Sequence, residues 1–160
     1  MARHAILMSG EVAYPRWAGR LVKRCIRTAL RLQGVDVPCE INVLFTDDEG
    51  IRALNRDLRG VDKATDVLSF PAFSFSPGAF DASAGETDPE SGLLPIGDMA
   101  LNLNRIRLQG KEYGTGEKHE TAYLTVHSIL HLLGYDHVDE AEGKKQMRAR
   151  EREIMRIMRL

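Results

Sequence analysis

The chain has few cysteines and no long apolar run. Its two thiols, Cys25 and Cys39, form no C-x-x-C pair, which excludes a disulfide framework. No apolar stretch approaches the roughly 20 residues that a membrane helix needs. The opening MARHAILMSG is too short for a secretory h-region, so a cytoplasmic protein with free thiols and no membrane partner is expected. With 160 residues, 43% hydrophobic and 28% charged, the chain is neither collagen-like, coiled-coil nor wholly disordered. Residues 1–160 are expected to form a single domain.

Net charge is also small, at -1, but it hides a segregation. Residues 1–33 hold seven Lys/Arg against one acid, Glu11, whereas 74–95 hold four acids and no base. Between Pro15 and Gln33, basic residues alternate with Trp17, Leu21, Val22, Ile26, Leu30 and Leu32, the pattern of an amphipathic helix with a cationic face. The last 23 residues add seven bases against five acids. A polyanion is a natural partner for such faces. Solvated helix surfaces whose Lys and Arg stems cover apolar area would carry the same charges.

Ala5–Met8, Ile41–Phe45, Val67–Phe70 and Met99–Leu103 read as short strands. Thr46 with Glu49 reads as a capping box opening a helix through Leu58, Gly116–Leu133 as a long helix, and Asp139 with Glu142 as the start of a last one. The expected class is α+β: a small mixed sheet of about four strands packed with helices. Ser74–Pro95, rich in Gly, Pro and acids, reads as an exposed loop joining two strands.

Three of the five histidines, His127, His131 and His137, lie within HSILHLLGYDH. His127 and His131 are four apart, one turn along a helix and on one face. Gly134 can end that helix with positive φ and return the chain toward His137. The offsets match the long zincin signature H-E-x-x-H-x-x-G-x-x-H, a zincin-like metal-binding helix, except that Ser128 stands where the signature has glutamate. Three imidazoles leave a tetrahedral zinc one open position, which is the mark of a catalytic site. Such an ion lowers the pKa of water toward ~7 and supports hydrolysis.

Ser128 cannot serve as the carboxylate that a peptidase needs, so peptide hydrolysis is disfavoured. A phosphodiester asks instead for cations on its oxygens, and Arg56, Arg59 and Lys63 surround the turn LNRDLRGVDKATDVLSF.

Three blocks, Leu54–Pro71 (LNRDLRGVDKATDVLSFP), Ile96–Leu101 (IGDMAL) and Thr125–His137 (TVHSILHLLGYDH), make the chain resemble the YbeY family of metal-dependent endoribonucleases of bacterial rRNA maturation. The resemblance implies one zinc ion per chain bound by His127, His131 and His137, and an arginine, here Arg59, needed for activity. These four are the implied catalytic residues. It implies cleavage of single-stranded RNA at rRNA ends and on defective ribosomes, with the ribosome or its proteins as partners. Two departures stand out: Ser128 where the family usually has glycine, and a longer, acidic 74–95 loop, which would repel RNA near the site.

Two other readings use the same residues. A ribosome-assembly or RNA-binding factor would keep zinc for its fold, with Cys25 or Cys39 as fourth ligand. A zinc peptidase would need Glu117 or Glu120 to reach the water. Asp136 is expected to orient a ligating imidazole, to carry a proton or to satisfy a turn, Asp66 and Asp98 to reach the site or, the simpler reading, to cap turns, and the isolated His4 and His119 to lie at the surface.

Overall fold

The computed structural model describes residues 3–136 and 141–160. Its elements are β1 (Ala5–Gly10), α1 (Arg16–Leu32), β2 (Cys39–Thr46), α2 (Asp48–Arg59), β3 (Val67–Pro71), β4 (Leu94–Asn102), α3 (Leu103–Glu112), α4 (Glu117–Leu132) and α5 (Ala141–Met158), with a 3-10 turn at Ala82–Ala84. The strands form one mixed sheet in the order β1-β2-β4-β3. β1, β2 and β4 run parallel, and β3 is antiparallel at the edge beside β4. The fold is α+β, as expected.

Alternation along the strands assigns the two faces. Ile41, Val43 and Phe45 of β2 and Met99 and Leu101 of β4 join the core made with α1, α4 and α5. Leu68 and Ala100 face the other way and pack with Ile51 of α2. Each of the larger of these side chains contributes about 1.5–3 kcal/mol by leaving water. α4 is the central helix, with ten of its sixteen residues buried. Two of its buried hydroxyls are satisfied locally: Thr121 and Thr125 donate to the carbonyls one turn back, both at 2.7 Å.

Several boundaries differ from expectation, each for a physical reason. Thr46 ends β2 and donates to Glu11 Oε1 at 2.9 Å, and Asp47 caps α2 by accepting from Gly50 N at 2.9 Å. β4 starts at Leu94, and Pro95, which reads as loop, is accommodated where the β2–β4 register shifts at Glu40/Ile41. Leu103 opens the unforeseen α3, because Asn102 Oδ1 accepts from the amides of Asn104 and Arg105. The last helix is described from Ala141, and its expected start at Asp139 lies outside the described residues. The loop between β3 and β4 is mostly exposed, but Phe75 is buried against Phe80, with centroids 5.1 Å apart.

Candidate active site

α4 ends where its sequence predicts. Gly134 has φ 101°, its amide donates to the His131 carbonyl, and the Tyr135 amide donates to Leu130, a Schellman closure. A Cβ at Gly134 would overlap the Phe75 carbonyl oxygen, so glycine also admits the chain that follows β3. The last turn of α4 is thus pressed against β3 and its exit. Between them opens a cleft of about 840 Å³.

His127 and His131 both line this cleft. His127 Nδ1 lies 2.6 Å from Glu151 Oε2, and His131 Nδ1 lies 2.8 Å from the Tyr135 carbonyl oxygen. A carbonyl only accepts, and so does an ionised carboxylate, so both Nδ1 atoms carry protons. In the neutral rings both Nε2 atoms then present lone pairs, and they face one another at 3.1 Å. Two lone pairs so placed repel unless a cation lies between them. Two nitrogens each ~2.0–2.1 Å from a tetrahedral zinc would sit about 3.3 Å apart, so this pair fits a shared ion. Among the described residues no group of three or more His, Cys, Asp or Glu converges as a ligand set. His137, the expected third ligand, lies outside the described residues.

Arg59 lines the same cleft. It ends α2, whose cap Gly60 takes φ 71° and turns the chain along the cleft. Asn55 Nδ2 fixes that turn on the Lys63 carbonyl at 3.0 Å, and Asn102 Nδ2 fixes it on the Thr65 carbonyl at 2.9 Å. Of the three cations on this segment, only Arg59 reaches the cleft. Arg56 is paired with Asp57 at 3.0 Å, whereas Arg59 forms no ion pair among the described residues.

Ser128 does not project toward a substrate. It is fully buried, its Oγ 2.7 Å from Ser69 Oγ on β3, and so ties the histidine helix to the edge strand. Asp66 accepts from the Val67 amide at 2.8 Å, the expected turn role, and lines the cleft as well, as does Asp136. Asp98 instead sits within β4 and accepts from Asn42 Nδ2 at 2.9 Å. His4 is half-buried and accepts from the Cys39 amide at 3.1 Å, so it is not a plain surface residue.

The rival chemistries find no support in this geometry. Glu120 accepts from Gln109 Nε2 at 3.0 Å and Glu117 faces Arg107 at 3.6 Å; neither lines the cleft. Burial pushes the Glu120 carboxyl up from its ordinary value. Cys25 and Cys39 are core residues outside the cleft, their thiols pushed up to about 12 by burial.

One site residue escaped the sequence reading. Glu151, on α5, is only 4% exposed and also accepts from Tyr123 Oη at 3.4 Å. The signal was present: it is the single acid in the apolar series Met147, Glu151, Ile154, Met155, Met158. A carboxylate is buried in such a stripe only with partners.

The family model described as Endoribonuclease YbeY matches residues 11–159. A relative of that name from Clostridium botulinum (strain Loch Maree / Type A3) is 43% identical over 145 residues, 87% of each chain. Another, from Clostridium acetobutylicum, is 46% identical over 140 residues, 84% of each. The solution structure of TM1509 from Thermotoga maritima aligns over 99% of this chain and 92% of that one, with TM-score 0.58 at 21% identity, a likeness of fold.

Proposed function

This chain belongs to the YbeY endoribonuclease family, and from that membership we propose that it is a zinc-dependent, single-strand-specific endoribonuclease of rRNA 3′-end maturation and ribosome quality control. In this reading one zinc ion per chain is held by His127 and His131 with His137 as third ligand, and Arg59 stabilises the phosphate under attack. Residues 1–160 act as one domain in the cytoplasm; the 74–95 loop lends Ser74 and Phe75 to the cleft wall, while its acids, Asp81, Glu86, Asp88 and Glu90, do not line the cleft. The ribosome or its proteins deliver the substrate.

The observation that carries this reading is the opposed pair of Nε2 atoms, 3.1 Å apart, in the cleft that Arg59 also lines. Zinc held there would supply Lewis acidity toward a phosphodiester and lower the pKa of a bound water toward neutrality. The chain's own groups do the remainder. Glu151 and the Tyr135 carbonyl hold the two Nδ1 protons, which keeps both Nε2 lone pairs aimed at one point. The Arg59 guanidinium offers paired N–H donors to phosphoryl oxygens, an interaction that strengthens as charge builds in the transition state. Phe73, half-buried in the cleft wall, offers a ring on which an unpaired base can stack. A duplex holds its bases away from such a ring, in keeping with a single-stranded substrate.

The test joins elemental analysis to cleavage of a single-stranded rRNA fragment. About one zinc per chain, lost in His131→Ala and His137→Ala, is expected, with cleavage lost in both and in Arg59→Ala. A 2′,3′-cyclic phosphate end would identify the 2′-hydroxyl as nucleophile, and a 5′-phosphate would identify water. Wild-type protein that holds zinc yet cuts no faster than His131→Ala would overturn the enzyme reading.

A further inference from the structure

A second cavity, of about 910 Å³, opens at the far end of α1 and shares no lining residue with the cleft. Arg3, Arg27 and Arg31 line it with His4 and Thr28, and Asp36 is its sole carboxylate among the described residues. His4 Nδ1 is already accepting from the Cys39 amide, so its ring proton sits on Nε2. Burial and then Arg27 lower its pKa from the usual 6.5, so the ring is a neutral donor at physiological pH.

This cavity ends a longer feature. Arg16, Arg20, Lys23, Arg27 and Arg31 are spaced four, three, four and four apart. At 100° per residue they fall within about 80° of one another around α1, over roughly 22 Å of its length. No acid occurs anywhere in Arg16–Leu32, and among the described residues none of these cations, nor Arg3, forms an ion pair. Arg24, about 20° beyond Arg31 around the axis, is engaged with the end of α5, donating to the Met158 carbonyl at 3.1 Å. A file of uncompensated cations on a chain of net charge -1 is held together against its own repulsion, which an extended polyanion would relieve.

We infer that the α1 ridge and the Arg3/Arg27/Arg31 cavity form a second RNA site that tracks the phosphodiester backbone of a single strand, apart from the cleft that cuts it. The site takes its ligand class from the ribonuclease reading. A membrane surface is disfavoured because the apolar face of α1 (Ala18, Val22, Ile26, Ala29, Leu30) is spent in the core and leaves nothing to insert. Binding through phosphates alone is the same for all sequences and responds steeply to salt.

The experiment is fluorescence anisotropy of a labelled single-stranded uridine 15-mer with the full chain in EDTA, across salt concentrations. Arg27→Glu with Arg31→Glu should weaken binding at least about tenfold and reduce the log–log salt slope by about 1.4, at ~0.7 for each phosphate no longer neutralised. Arg27→Gln with Arg31→Gln, which disturbs the fold less, should move both readouts the same way. Arg152→Glu with Arg156→Glu makes an equal charge change on exposed positions of α5 and should weaken binding less than about threefold. If the α1 and α5 pairs weaken binding equally, net charge alone is responsible and the site is refuted. Unchanged RNA binding in the α1 variants refutes it too, and loss of phosphatidylserine-vesicle binding in them would then reassign the ridge to a membrane. A wild type that binds RNA but does not cut it with zinc would sink the nuclease reading and leave this measurement intact.

Discussion

Glu151 Oε2 lies 2.6 Å from His127 Nδ1, across the interface between α5 and α4. The last helix of the fold therefore sets the tautomer of a histidine in the central one. Glu151→Gln keeps the size and an acceptor oxygen but replaces the carboxylate that orients the His127 ring. Zinc affinity is expected to fall about 10–100-fold, read by competition with a chromophoric chelator, with the fold retained. Unaltered affinity would mean that the carboxylate serves α5 packing alone.

Ser128 makes a second cross-element tie, to Ser69 at 2.7 Å. Ser128→Gly removes that bond, leaves the Ser69 hydroxyl short of a partner and places glycine inside a helix. The sum is expected to be about 2 kcal/mol of lost stability, seen as a lower urea midpoint at unchanged m-value. Ser128→Ala keeps helix propensity and should lose about half as much. Equal midpoints for all three proteins would show that the hydroxyl pair contributes nothing.

The strands, the long helices and the histidine pair were legible because each is written in local spacing. A period of two marks β2, and the i, i+4 step with glycine beyond it marks the end of α4. Asn102 and Glu151 were not legible, because their partners lie far away in sequence. Asn102 donates to Asp48 and to the Thr65 carbonyl, and nothing within a few residues of it announces these two bonds. α3 is a different case: its cap is local, Asn102 Oδ1 accepting from amides two and three residues on, but the helix follows β4 with no turn between them and so reads as the end of the strand. Arg59 could be separated from Arg56 and Lys63 only by resemblance in the sequence, and by cleft placement in the structure.

Asp48 gives a pH test of that junction. Its carboxylate accepts from the side chains of Asn102 and Asn104, and the Asn102 bond foremost holds it below the ordinary 3.8. The unfolded chain takes up this proton first as pH falls. The stabilisation is therefore complete above 3.8 and is lost as pH falls through the depressed folded value. In urea titrations from pH 7 to 2, wild type should exceed Asp48→Asn at the upper end and converge with it at the lower. A constant gap would mean that shape rather than charge is what Asp48 supplies.

Removing Asn102 itself should do more. Asn102→Ala loses the α3 cap, the Asp48 partner and the tether on Thr65 together, an expected loss of about 2–4 kcal/mol. Because the Thr65 tether holds the segment that carries Arg59, RNA turnover should fall as well, at temperatures where the variant is still folded. A fully folded variant with wild-type turnover would show that Arg59 is placed without it.

The thiols separate an open metal site from one closed by sulfur. Cys25 and Cys39 are both fully buried, and Cys39 Sγ donates to the Val37 carbonyl at 3.2 Å. Native protein should therefore leave both thiols unreacted toward a disulfide reagent at neutral pH, with zinc or with EDTA alike, and expose both in denaturant. Protection that appears only with zinc would instead make sulfur a ligand. The same burial predicts the alkaline limb of stability. Unfolded thiols ionise near the ordinary 9.0, whereas folded ones hold their protons to about 12. The unfolded state thus binds fewer protons between those values, and stability falls as pH rises, by at most ~1.4 kcal/mol per pH unit for each thiol. Cys25→Ala should show a shallower fall than wild type from pH 9 to 11 despite its lower starting stability. A parallel fall would assign the limb to other groups, such as Tyr123, which burial likewise pushes up to about 12.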